Sequence, residues 1–164
     1  MQKYINILVS SFLVSCGVYS FDGASIPSNA KSFYVSNFII KTDNCPANTG
    51  NVSSEKLIDL LLNQTSLQLS NKETELNFYG EITNYKINPI SIQSNDIAAK
   101  NRLEITIKVK YTNTLDNNQN FEHSFKRYRD FDSEQNLTEI EDDLIQSILE
   151  EITEDIYNKA FVNW

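Results

Sequence analysis

From Leu103 to Tyr111 the chain alternates with a period of two: Leu103, Ile105, Ile107, Val109 and Tyr111 on one side, Arg102, Glu104, Thr106, Lys108 and Lys110 on the other. Successive side chains of a strand point to opposite faces, so this stretch predicts a half-buried strand. The same period starts at Leu76, where Leu76, Phe78, Gly80 and Ile82 oppose Asn77, Tyr79, Glu81 and Thr83, and it predicts a strand to about Lys86. Asp116-Asn117-Asn118 favours a tight turn, so residues 101–131 read as an antiparallel hairpin whose second arm runs from about Phe121 to Tyr128. Phe121 and Phe125 share parity and Tyr128 breaks it, which points to a bulge or an exit near Lys126.

In two places the period becomes helical. Leu57, Ile58, Leu61 and Leu62 predict a short amphipathic helix from about Ser54 to Asn63, with Ser53 or Ser54 as its cap. Leu137, Ile140, Leu144, Ile145, Ile148, Leu149, Ile152, Ile156, Tyr157 and Ala160 predict a long second helix, with Thr138 and Glu141 spaced as a capping box. Ahead of the first helix, Phe33 to Ile40 is rich in β-branched and aromatic residues and reads as a strand, followed by a long loop over 41–52. The element order is then β-α-β-β-β-α. This is an α+β fold with two helices packed on one face of a four-stranded, mostly antiparallel sheet.

The chain opens on Lys3 and an apolar run, Ile5, Ile7, Leu8, Val9, Phe12, Leu13 and Val14, that is too short to span a bilayer and has the order of a signal peptide. It ends in Leu13-Val14-Ser15-Cys16 with Gly17 following, the pattern of a lipoprotein processing site with Cys16 as the lipidated residue. A single acyl chain holds a protein at a membrane only marginally, whereas a multiply acylated cysteine, palmitate included, anchors it stably. The expected organisation is a signal peptide over 1–15, a lipidated N-terminus and tether over 16–31, and one domain over 32–164. A buried N-terminal strand is the alternative reading of the opening run.

The formal charge of −8 becomes −9 once residues 1–15 and Lys3 are removed. That balance argues against a nucleic-acid partner, whose footprint is basic. With Cys16 lipidated, Cys45 is the single free thiol and no internal disulfide can form. Residues 100–129 hold seven basic side chains against three acidic ones, while 134–159 hold nine acidic side chains against Lys159. This predicts an acidic outer helix face and a locally basic open sheet face. Arg102, Lys108 and Lys110 share one face of a strand and could converge on phosphates, although a one-sided antiparallel sheet presents the same pattern as an ordinary solvated face. No nucleophile, metal-ligand or phosphate-loop spacing occurs, and the sole histidine, His123, lies in a strand without catalytic context. No cofactor, metal or enzymatic activity is expected.

Several segments together resemble the LptE-type lipopolysaccharide-assembly lipoproteins. They are Cys16-Gly17-Val18-Tyr19-Ser20-Phe21 with Gly23-Ala24-Ser25-Ile26-Pro27, Gly80-Glu81-Ile82 with Tyr85 and Pro89-Ile90, Asn101-Arg102-Leu103, Asp130-Phe131, and Asn158-Lys159-Ala160-Phe161-Val162-Asn163-Trp164. The resemblance implies an outer-membrane lipoprotein that plugs the LptD β-barrel, helps that barrel assemble and assists lipopolysaccharide delivery to the cell surface. It also implies two helices on a four-stranded sheet. Family members bind lipopolysaccharide through basic residues, but no motif carries those positions over individually, so Arg102, Lys108 and Lys110 rest on strand parity. Residues 41–52 and Cys45 match no family pattern. The leading alternative is a lipid-anchored periplasmic binding module not associated with a barrel, followed by an envelope hydrolase.

Overall fold

The computed structural model describes residues 26–90 and 99–162. The proposed signal peptide and Cys16 therefore lie outside the described residues. The elements are β1 (Ser32–Val35), β2 (Ile39–Ile40), α1 (Thr49–Gln64), β3 (Gln68–Leu69), β4 (Leu76–Ile90), β5 (Lys100–Asn113), β6 (Phe121–Asp132) and α2 (Leu137–Phe161). A 3-10 turn at Asn117–Gln119 joins β5 to β6, with the Asp116 carboxylate accepting from the Asn118 amide.

The frame is the antiparallel set β4-β5-β6. Leu103, Ile105, Ile107, Val109 and Tyr111 are all fully buried, as their alternation requires. On β4 the predicted phase holds from Leu76 to Ile82 and then reverses. The register with β5 shifts between Ile82 and Asn84, so Thr83 is an extra residue and Tyr85, which strict alternation would turn outward, is buried. β6 runs to Asp132 with no register shift against β5. The bulge expected near Lys126 is therefore absent from β6, and Tyr128 simply belongs to the open face.

The sheet is six-stranded and mixed, not four-stranded and mostly antiparallel. Its order is β3-β1-β4-β5-β6, with β2 also on β4. β1 and β2 run parallel to β4, as does β3 to β1. The physical reason is the connection: α1 lies between β1 and β4, and a crossover of that length returns the chain in the same direction. The strand expected over Phe33–Ile40 is interrupted at Ser36-Asn37-Phe38, where Phe38 turns into the core.

Helix α1 begins earlier than the serines imply. Its N-cap is Asn48, and Ser53 and Ser54 are buried inside the helix rather than capping it. The Ser53 hydroxyl donates to the Thr49 carbonyl (2.7 Å) and that of Ser54 to the Asn51 carbonyl (2.9 Å), so each is satisfied by its own helix. The expected loop over 41–52 shortens accordingly. At α2 the cap is Asn136, whose side chain accepts from the Thr138 amide (3.2 Å) and donates to Glu139 (3.0 Å). The Thr138–Glu141 capping box is thus replaced by an Asn136–Glu139 pair, and Glu141 instead accepts from the Tyr85 hydroxyl.

Both helices lie on the same sheet face. Leu57 and Leu61 of α1 and Ile145, Ile148, Leu149, Ile152, Ile156 and Phe161 of α2 complete one core with the inward residues of β4 and β5. Phe78, Tyr111 and Phe161 form its aromatic centre, with ring centroids 4.8 to 6.3 Å apart. Truncating a fully buried isoleucine such as Ile107 to alanine costs about 2–5 kcal/mol in a core of this kind. Ile26 and Ala30 pack against the same core, so residues just before β1 are part of the packed body. None of the described helices is long and apolar enough to cross a membrane.

Candidate functional site

The opposite face of the sheet carries no helix among the described residues, and its chemistry is set by register. Opposite residues of an antiparallel pair share a face. Arg102 therefore faces Asp130, Glu104 faces Tyr128, Thr106 faces Lys126, Lys108 faces Ser124 and Lys110 faces Glu122. On the other flank β4 sets Tyr79 against Lys110, Glu81 against Lys108 and Lys86 against Glu104.

Arg102, Lys108 and Lys110 do lie on this open face, but two of the three are already engaged. The Arg102 guanidinium makes a fork with Asp130 (2.7 and 2.9 Å) and stacks over the Tyr128 ring, 3.6 Å from its centroid. This guanidinium holds the Asp130 carboxyl below the usual carboxylate range, chiefly through those hydrogen bonds. Lys108 pairs with Glu122, and Lys126 pairs with Glu104 at 2.7 Å. The Lys108 ammonium, by its hydrogen bond, lowers the Glu122 carboxyl. Lys110 makes no ion pair among the described residues. It lines a shallow depression of about 220 Å³ together with Tyr79, Glu81, Lys108 and Glu122. Burial pushes the Tyr79 phenol up to about 12, aided by its hydrogen bond to Glu73 (2.6 Å).

The face is therefore a lattice of mixed charge and not a basic patch. Two of the seven basic residues counted over 100–129, Arg127 and Arg129, are on the helix side. Arg127 forks onto Asp155 with both bonds at 2.7 Å, and Arg129 bonds the Ser147 hydroxyl (2.8 Å) and the Glu151 carboxylate. The acidic run of α2 and these arginines of β6 thus meet across the layer boundary, where sequence counting had set them apart. Glu104 was already on the predicted polar face, but the carboxylates of Glu122 and Asp130 escaped the sequence reading. Their parity on the second hairpin arm was the available signal, but it became informative only once the register of β5 and β6 was known.

Cys45 is half-buried beside the start of α1, its thiol directed at the Pro46 carbonyl (3.8 Å), and burial raises its pKa. His123 sits exposed on β6 with its ring 4.8 Å from that of Phe125. Among the described residues no group of three or more His, Cys, Asp or Glu side chains could hold a metal ion.

Fold and face define a class: a one-sided α+β module with a helical layer behind a mixed sheet and a broad, charged, polar surface in front. The chain belongs to the LptE lipopolysaccharide-assembly family, whose profile matches residues 30–160. Among solved structures, a minor lipoprotein from Acinetobacter baumannii is similar at 14% identity, covering 79% of this chain and 91% of its own, with a TM-score of 0.52. A hypothetical protein from Chlamydia trachomatis is similar at 11% identity, covering 82% and 99%, also with a TM-score of 0.52. At these identities the likeness concerns the fold. No curated protein sequence matches the chain.

Proposed function

We propose that this protein is an outer-membrane lipoprotein, anchored through Cys16, that plugs and helps assemble an LptD-type β-barrel and assists delivery of lipopolysaccharide to the cell surface. Membership of the lipopolysaccharide-assembly family is the observation that carries the reading. The uncovered sheet face supports it. A plug inside a barrel meets a polar lumen, and the face offers alternating cations and carboxylates over β4, β5 and β6. Arg102, Lys108 and Lys110 are the proposed contacts to lipopolysaccharide phosphates. Arg102 and Lys108 would exchange Asp130 and Glu122 for phosphate, so Lys110, unpaired among the described residues, contributes first contact.

Affinity capture of the full-length protein from detergent-solubilised outer membranes tests the reading. A large β-barrel recovered in stoichiometric amount is the expected result, and recovery of free lipoprotein alone would overturn the plug. In the same cells Cys16→Ser should release or mislocalise the protein while its circular dichroism spectrum stays unchanged.

A further inference from the structure

Among the described residues strand β6 is the long free edge of the sheet, and its unpaired side is self-complementary in one antiparallel register. Among the described strands β6 pairs only with β5. The Ser133 amide donates to the Ala99 carbonyl (3.0 Å), one step beyond the Lys100–Asp132 pair. Hydrogen-bonded and non-bonded pairs alternate along such a ladder, so the odd residues of β6 turn their amides and carbonyls to β5 and the even residues turn theirs outward.

At one end some of these outward groups are covered. Arg129 donates to the Tyr128 carbonyl (2.9 Å) and the Gln135 side chain accepts from the Asp132 amide (3.2 Å). Among the described residues nothing covers the outward groups of Glu122, Ser124 and Lys126. A free edge of this kind is a template for another strand.

We propose that Glu122–Lys126 pairs with the same segment of a second copy, the two Ser124 residues facing each other at a two-fold axis normal to the sheet. Glu122 of each copy then lies opposite Lys126 of the other, which joins the Glu104–Lys126 pair of one copy to the Glu122–Lys108 pair of the other in a row of alternating charge, and the outward groups of Glu122, Ser124 and Lys126 find partners. Charge selects this register. Centring on Glu122 or on Lys126 sets two glutamates or two lysines face to face, and centring on His123 or Phe125 leaves Glu122 opposite Ser124 or Tyr128 with no ion pair gained. The interface is isologous, as a two-fold dimer demands. Because the axis is normal to the sheet, both helical layers stay on the same side. A depression of about 650 Å³ lined by His123, Phe125, Arg127, Asp155, Asn158 and Lys159 runs beside the same segment. The pairing sets His123 of one copy against Phe125 of the other at its rim. This inference does not rest on the barrel reading.

Cross-linking of the full chain in a Cys45→Ser background tests it. Ser124→Cys places thiols on facing residues whose Cα atoms are about 5.5 Å apart, within disulfide reach. Mild oxidation should give a covalent dimer, whereas the equally exposed but distant Glu55→Cys should give only the background seen without either added thiol. Adding Glu122→Lys should cut the yield of the Ser124→Cys dimer about fivefold, through two like-charge contacts. Adding Lys126→Glu as well should restore it. A Ser124→Cys yield no greater than that of Glu55→Cys, failure of the charge exchange to restore the yield, or capture of a different protein at Ser124→Cys would each overturn the second copy as the occupant.

Discussion

The ring of Phe38 lies directly over Gly80, where an added Cβ would meet three of its carbons at 2.4–2.5 Å. Phe38 is buried and joins the segment between β1 and β2 to the middle of β4. A close approach of this kind calls for glycine, independent of any special backbone angle.

Gly80→Ala should therefore destabilise by about 1–3 kcal/mol, the usual penalty for overpacking a well-filled site. Phe38→Leu in the same chain should recover part of that loss. Chemical denaturation of the two single variants and the double variant checks it, and simple additivity would show that the ring and the glycine are not coupled.

Tyr85 and Glu141 join the two layers by a hydrogen bond from the phenol to a carboxylate oxygen. Burial and this acceptor both push the phenol well above its ordinary pKa, so the bond persists through the neutral range. Tyr85→Phe should cost about 1.5–3 kcal/mol, the range for bonds to charged groups. Thermal melts at neutral pH measure it. A melting temperature equal to that of the unaltered protein would mean that solvent replaces the bond without loss.

Glu75, ahead of β4, offers a pH signature. Hydrogen bonds from the Ser32 and Thr74 hydroxyls lower its carboxyl to about 2. A lowered folded-state pKa binds the proton more weakly than the unfolded chain does. The corresponding stability is thus present above the unfolded carboxylate pKa and is lost as pH falls toward about 2. A carbon-detected titration of the Glu75 side chain should show the low midpoint, and Ser32→Ala should move it up toward the ordinary value.

On the open face, reversing Arg102, Lys108 and Lys110 together should weaken lipopolysaccharide binding while leaving circular dichroism intact, since all three are on the helix-free side. Lys110→Glu alone should have a larger effect than Arg102→Glu, because Arg102 is already committed to Asp130. Fluorescent lipopolysaccharide titration reads both. Unchanged binding in the triple variant would return the face to an ordinary solvated surface.

Periodicity made most of the core readable in the sequence. Leu103 through Tyr111 are buried as the alternation requires, and Ile148, Leu149, Ile152 and Ile156 are buried as the helical spacing requires. The candidate site was less readable. Its three cations were visible from parity, but the carboxylates that hold Arg102 and Lys108 come from the neighbouring strand, and their positions depend on register.

The amino-acid sequence by itself determined the local periods, and with them which face of β5 and which stripe of α2 is apolar, because side-chain direction follows from the covalent geometry of strand and helix. Tertiary structure alone decided the rest. The extra residue at Thr83 that turns Tyr85 inward, the parallel docking of β1 on β4, and the arginines of β6 that reach Asp155 and Glu151 all depend on which segments meet and in what register. A strand of two residues, such as β2 or β3, has too few positions to show a period at all. Such strands exist because a neighbour supplies their hydrogen bonds, and that information lies in the partner and not in the strand.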